Sequence, residues 1–161
     1  VYFRSAATQI RPRGFAVMVH IKDEGSHFDA PIETVWAFLE DPDAHGRSHQ
    51  STRNQSMKPV SENSFTISME QNMDGQWVKV ANRITVLPPV AMTIEVLEGP
   101  LAGSKILNVY TPKGSKTGID VYGDFVSKQI PTAQLEPAVR ENLALVFDED
   151  ATAIKAFASK K

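Results

Sequence analysis

From Thr132 to about Ser159 the chain contains no glycine and one proline, Pro137. Along this stretch Leu135, Val139, Leu143, Val146, Phe147, Ile154 and Phe157 fall on one broad apolar stripe. The pattern predicts a single helix of roughly twenty-five residues, starting near Gln134 to Glu136 so that Pro137 sits in a first turn. Thr132 is the expected cap. At about 1.5 Å per residue, such a helix crosses a whole small domain. A stripe that long must be covered, and no second long helix is available to do it.

The residues before it alternate instead. Phe15 to Phe28 reads as a strand with Phe15, Val17, Val19 and Ile21 on one face. Asp29 and Pro31 then signal a helix start, with Ile32, Val35, Trp36 and Leu39 at helical spacing. Asp41-Pro42 ends that helix, and Asp43 to His49 can add one more turn, broken at Gly46. Strands are predicted at Ser51 to Val60, Asn63 to Met73, Trp77 to Leu87, Val90 to Glu98, Leu101 to Thr111 and Lys116 to Ser127. Asp74-Gly75 is the strongest hairpin signal. Pro88-Pro89, Gly99-Pro100 and Pro112-Lys113-Gly114-Ser115 mark other turns. One apolar face per strand implies a sheet covered on one side and wet on the other. The expected fold class is therefore α+β: a curved antiparallel sheet of about seven strands wrapped around the long C-terminal helix, with two short helices after the first strand.

The bulk numbers narrow the function. The 161 residues suit one domain, and a net charge of −2 gives no basic face for nucleic acid. With no cysteine, thiolate chemistry and thiolate zinc sites are excluded. A cytoplasmic location is expected. No apolar run approaches the roughly 18 residues that span a bilayer, so stable membrane insertion is not expected. Residues 1–14 carry Arg4, Arg11 and Arg13 without a clear period. They read as an N-terminal arm, flexible, an added strand or a cloning remnant, with a basic targeting peptide as the alternative. Residues 15–161 read as a single ligand-binding domain.

Three stretches resemble the START-like helix-grip superfamily, also called SRPBCC, with its polyketide cyclase-like, lipid-transfer and pollen-allergen relatives. Phe28-Asp29-Ala30-Pro31-Ile32-Glu33-Thr34-Val35-Trp36-Ala37-Phe38-Leu39 is similar to its first strand-to-helix junction. Gly99-Pro100-Leu101 through Thr111-Pro112, with Gly114, resembles its late hairpin. Phe147-Asp148-Glu149-Asp150 with Ile154 resembles its closing helix. The likeness covers roughly residues 15 to 159. It implies a cavity between sheet and helix that holds apolar small molecules, and it carries no universal catalytic residue, so the catalytic residues are left unassigned.

Phe65, Met69, Val80, Met92, Ile94, Leu143 and Phe147 are expected to wall that cavity, each lying on the apolar face of its element. Gln71 and Asn82 are polar residues on otherwise apolar faces and can orient a ligand oxygen. Ala81 has the opposite parity and is expected to face out. Met57, Met69, Met73 and Met92 suit an adaptable pocket. His45 and His49 have metal-ligand spacing, but Gly46 interrupts the helix between them. Only Asp41, Asp43 or Glu62 suggest themselves as a third ligand. The pair therefore reads as solvated loop histidines, with a cavity-mouth role as the alternative, and neither metal nor cofactor is expected. Arg53 reads as solvated, with an anionic headgroup as the alternative. Asp148-Glu149-Asp150 reads as a wet helix face, although Asp150 lies near the stripe. Asp120, Tyr122 and Asp124 face out, and Trp77 reads as a hairpin-end packing residue.

The expected function is binding or transfer of a small apolar molecule: lipid, aromatic or polyketide-like. A cyclase- or aromatase-type enzyme and a ligand-free interaction or stress-response domain are the alternatives. Oligomeric state is left open.

Overall fold

The computed structural model describes residues 17–160. The N-terminal arm and Phe15 lie outside the described residues. The chain runs β1 (Val19–Phe28), α1 (Ile32–Leu39), α2 (Pro42–Gly46), β2 (Thr52–Ser61), β3 (Ser64–Met73), β4 (Gln76–Leu87), β5 (Ala91–Glu98), β6 (Lys105–Lys113), β7 (Lys116–Phe125) and α3 (Thr132–Ala158). The strands form one antiparallel sheet in the order β1-β7-β6-β5-β4-β3-β2. Strands β2 to β7 follow one another as a meander, and β1 joins the far side by pairing with β7.

Local chemistry sets the turns. Asp74 (φ 52°) and Gly75 (φ 81°) form a two-residue loop between Met73 and Gln76, which pair directly. Positive φ at both positions is what a tight hairpin requires. Asn72 Oδ1 accepts from the Gly75 N–H at 2.9 Å and holds the loop. Leu101 to Ser104, expected to open a strand, are turn instead. Gly103 takes φ +95° and returns its N–H to the Val96 carbonyl at 2.8 Å, so the strand begins only at Lys105. The strand then continues through Pro112 and Lys113, because that end pairs with Thr117 and Lys116.

Helix α3 has 27 residues and starts earlier than its sequence suggests. Pro131 is the N-cap position and Thr132 is already helical, so Thr132 does not cap. Ser127 organises the approach: its hydroxyl accepts from the Gln129 and Ile130 N–H groups and donates to the Pro100 carbonyl. Pro137 falls inside the helix. Leu135 and Val139 are buried on either side of it, and tertiary packing of this kind outweighs the local propensity.

Helix α3 is anchored at two places. Near its start, Leu135 and Val139 pack with Ile21 and Phe125. Near its end, Ile154 packs in a cluster with Phe28, Val35, Trp36, Phe38, Met92, Tyr110 and Ile119. This second cluster fixes α1 as well, since Trp36 Nε1 donates to the Pro89 carbonyl at 2.8 Å and Thr117 Oγ1 donates to the Ala30 carbonyl at 2.8 Å. On the outer face, Asp120, Tyr122 and Asp124 tie β7 to β1. Asp120 accepts from the Gly25 N–H, Tyr122 donates to Glu24 at 2.6 Å, and His20 bonds Asp124. Among the described residues, no helix is long and apolar enough to cross a membrane.

Candidate functional site

Between the two anchors of α3, the helix and the inner face of the sheet bound a cavity of about 890 Å³. Leu143, Val146, Phe147 and Asp150 face it from α3. Phe65, Ile67, Met69, Val80, Ile84, Met92 and Ile94 face it from the central strands. All nine residues expected from the sequence line this space: Phe65, Met69, Gln71, Val80, Asn82, Met92, Ile94, Leu143 and Phe147. Met57 and Met73 line it too. On the strands, the period of two turns every second side chain to the interior, and on α3 the helical stripe does the same for Leu143 and Phe147.

Asn82 is the polar exception on β4. Its Oδ1 is buried and has no hydrogen-bond partner among the described residues. Ala81 is absent from the lining, as parity requires, but at 8% exposed it is not a surface residue. It sits on a central strand between Ser68 and Glu98, at a bulge where the register with β5 shifts. A small side chain there is overshadowed by its neighbours.

One wall is polar, and sequence reasoning missed how it is built. Asp41 caps α2 by accepting from the Asp43 and Ala44 N–H groups. His45 lies in α2, and Ser48 folds back on the His45 carbonyl through both its N–H and its hydroxyl. That turn brings His49 round to His45, with ring centroids 5.2 Å apart and Nε2 atoms 3.3 Å apart. The third member comes from α3: Asp150 Oδ1 lies 3.1 Å from His49 Nε2 and 3.4 Å from His45 Nε2. Glu149 Oε2 lies 3.0 Å from His49 Nδ1.

The histidines are therefore not solvated loop residues. The side chains of His49, Asp150 and His45 are 14%, 16% and 27% exposed. The acidic run is not a wet face either. Asp148 alone is exposed, while Glu149 and Asp150 turn inward. Asp150 follows Val146 and Phe147 at four and three residues, so its place on the cavity stripe was available from helical spacing.

Burial works to lower the His49 pKa, but Asp150 and Glu149 beside it outweigh burial and leave it above its ordinary value. Burial likewise works to raise the Asp150 pKa, and the two imidazoles overcome it and hold the carboxyl at about 2. Tyr110 lies on the same cavity. Burial pushes its hydroxyl pKa well up, with the Asn108 contact opposing and the Asp150 charge adding to the rise.

Two other candidates lie elsewhere. Arg53 places its guanidinium 4.1 Å from the centroid of the Trp77 ring and reaches Glu70 at 3.3 Å. This surface cluster occupies Arg53, and Trp77, half-exposed at the end of the β3–β4 hairpin, packs in it.

No protein-family model matches the sequence, and no curated protein matches it significantly. Solved structures do match in shape. The di-domain ARO/CYC StfQ from the steffimycin biosynthetic pathway superposes with a TM-score of 0.72 at 14% identity, over 89% of this chain and 52% of that one. This chain thus spans about half the length of StfQ. A START superfamily protein from Mycobacterium smegmatis matches with a TM-score of 0.71 at 12% identity, over 86% of this chain and 97% of that one. Zhui aromatase/cyclase from a Streptomyces species matches with a TM-score of 0.68 at 16% identity, over 89% and 95%. At these identities the likeness concerns the fold.

Proposed function

The chain has the START-like helix-grip fold, and from that premise we propose that it binds or transfers a small, largely apolar molecule in the cavity between sheet and α3. The observation that carries this reading is the cavity itself. A space of about 890 Å³ lies within the usual range for small-molecule sites. Most of its wall surface is apolar, and the polar groups on it include His45, His49, Gln71, Asn82 and Asp150. Desolvation of the ligand drives binding, and the polar groups set its orientation. Asn82 can orient a ligand through an N–H or O–H donor to its unpartnered Oδ1. Native mass spectrometry of freshly purified protein, with titration of an environment-sensitive apolar dye, tests this. A bound or saturably displacing apolar compound supports it. A folded protein that takes up no apolar compound refutes it.

A second reading has its own support. His45, His49, Asp150 and Tyr110 converge on one wall of an apolar cavity, an arrangement suited to acid–base work on a reactive ligand. It supports an enzyme of the cyclase or aromatase type. Incubation with a synthetic poly-β-ketone and analysis of the cyclised products tests it, with the uncatalysed product distribution as the refuting result.

A further inference from the structure

We propose that His45, His49 and Asp150 form a binding site for one divalent first-row transition-metal ion on the cavity wall, with Glu149 orienting His49. The three donor atoms make a nearly equilateral triangle. Its sides are 3.3 Å between the imidazole Nε2 atoms, and 3.4 and 3.1 Å from these to Asp150 Oδ1. Zinc-like ions hold nitrogen and carboxylate oxygen at about 2.0–2.1 Å, which sets any two donors of a tetrahedron about 3.3 Å apart. An ion equidistant from the three corners at that bond length would sit about 0.8 Å off their plane. The donors already stand where a metal would hold them.

Hydrogen bonding alone accounts for the cluster poorly. Asp150 Oδ1 is buried and shared by two imidazole nitrogens, at 3.1 and 3.4 Å, and neither contact is a well-directed hydrogen bond. Two Nε2 atoms facing one oxygen and each other cannot both carry protons without crowding them together. Lone pairs converging on a cation remove that conflict.

The surroundings complete the pattern. The contact between Glu149 and His49 Nδ1 places a proton on Nδ1 and turns the Nε2 lone pair to the triangle, as carboxylates behind metal-bound histidines do. The Phe38 ring, 5.2 Å from that of His45, backs the other imidazole. Two imidazoles and a carboxylate suit zinc, cobalt, nickel or ferrous iron rather than calcium or magnesium. Three protein ligands leave at least one coordination position free. All three residues line the cavity, so that position opens toward it. A ligand with an apolar body and a carbonyl, enolate or phenolate oxygen would fit both parts of the site.

The site rests on donor geometry and not on uptake of apolar compounds, so either reading can fail alone. Chelator-treated protein is titrated with Co²⁺ and Zn²⁺, following cobalt visible absorption and the heat of zinc binding. One equivalent of each ion is expected, with intensified cobalt bands of low coordination number. His45→Gln, His49→Gln and Asp150→Asn should abolish binding. Glu149→Gln should weaken it about 10–100-fold. Asp148→Asn, on the exposed side, should bind as the wild type does. Should a variant fail to fold, the wild type still decides the matter, through paramagnetic shifts of its imidazole protons with one equivalent of Co²⁺. Folded wild type that binds neither ion overturns the proposal. Binding that survives in folded His49→Gln or Asp150→Asn, or that leaves the imidazole protons unshifted, overturns it as well.

Discussion

Leu135 and Leu143 lie two turns apart on α3 and offer a matched pair for asking whether the helix stands off the sheet in solution. Leu135 is 1% exposed and packed among Ile21, Phe125 and Val139. Leu143 touches the same cluster but borders the cavity. Truncation to alanine removes the same three carbons from each, worth about 2.4 kcal/mol at about 0.8 kcal/mol per carbon. At Leu135 the neighbours cannot close the gap, so a void penalty adds to the transfer loss and the cost should reach about 3–4 kcal/mol. At Leu143 one side of the chain already faces open space. No new void is made and only part of the contact is lost, so about 1–2 kcal/mol is expected. Urea unfolding of both variants, with unchanged m-values, measures the difference. The same proteins titrated with an apolar dye should diverge oppositely: Leu143→Ala changes affinity and Leu135→Ala leaves it alone. Equal costs within about 0.5 kcal/mol would show that the middle of α3 is packed onto the sheet, and the reasoning from the cavity would fall.

Asn82→Leu should still take up the dye while losing preference for a hydrogen-bond-donating ligand over its hydrocarbon counterpart, by about tenfold in competition. Removing the unpartnered buried amide oxygen should also raise ligand-free stability by about 1 kcal/mol; a destabilised variant would mean that this oxygen has a partner. Thr117→Val leaves the buried Ala30 carbonyl without its donor and should lower stability by about 1–3 kcal/mol, measured by thermal unfolding. Arg53→Ala should cost only about 0.5–1 kcal/mol and leave dye binding unchanged, since the Arg53–Trp77–Glu70 cluster is on the surface.

What the sequence disclosed follows from the range of the forces involved. Strand alternation and the Asp74-Gly75 loop are local, so the seven strands, the hairpin and the inward parity of Phe65, Met69, Val80 and Asn82 could be read directly. The Leu101–Ser104 turn was misread because Gly103 needs positive φ only in partnership with Val96. The early start of α3 was missed because burial of Leu135 and Val139, not a capping side chain, holds the first turns. The polar wall was illegible for a different reason. His49 and Asp150 are on the order of a hundred residues apart, and no period links an α2 turn to the third quarter of α3. Only the packing of α3 across the sheet brings them together. Ala81 shows a smaller failure of the same kind, where parity gave direction but not depth.

The placement of β1 sets the order in which the molecule can assemble. Among themselves, strands β2 to β7 pair in sequence order and can form by short loop closures. Val19 must meet Phe125 across on the order of a hundred residues before β1 is seated. Ile21 and Phe28 belong to the two clusters that grip α3, so the helix has no complete seat until that distant pairing is made. The closing of β1 on β7 is thus the most non-local pairing in the sheet, the kind of contact that slows folding. A compound held beneath α3 would find its site only after that step. It would lengthen the lifetime of the native state by slowing unfolding, while leaving the rate of folding nearly untouched.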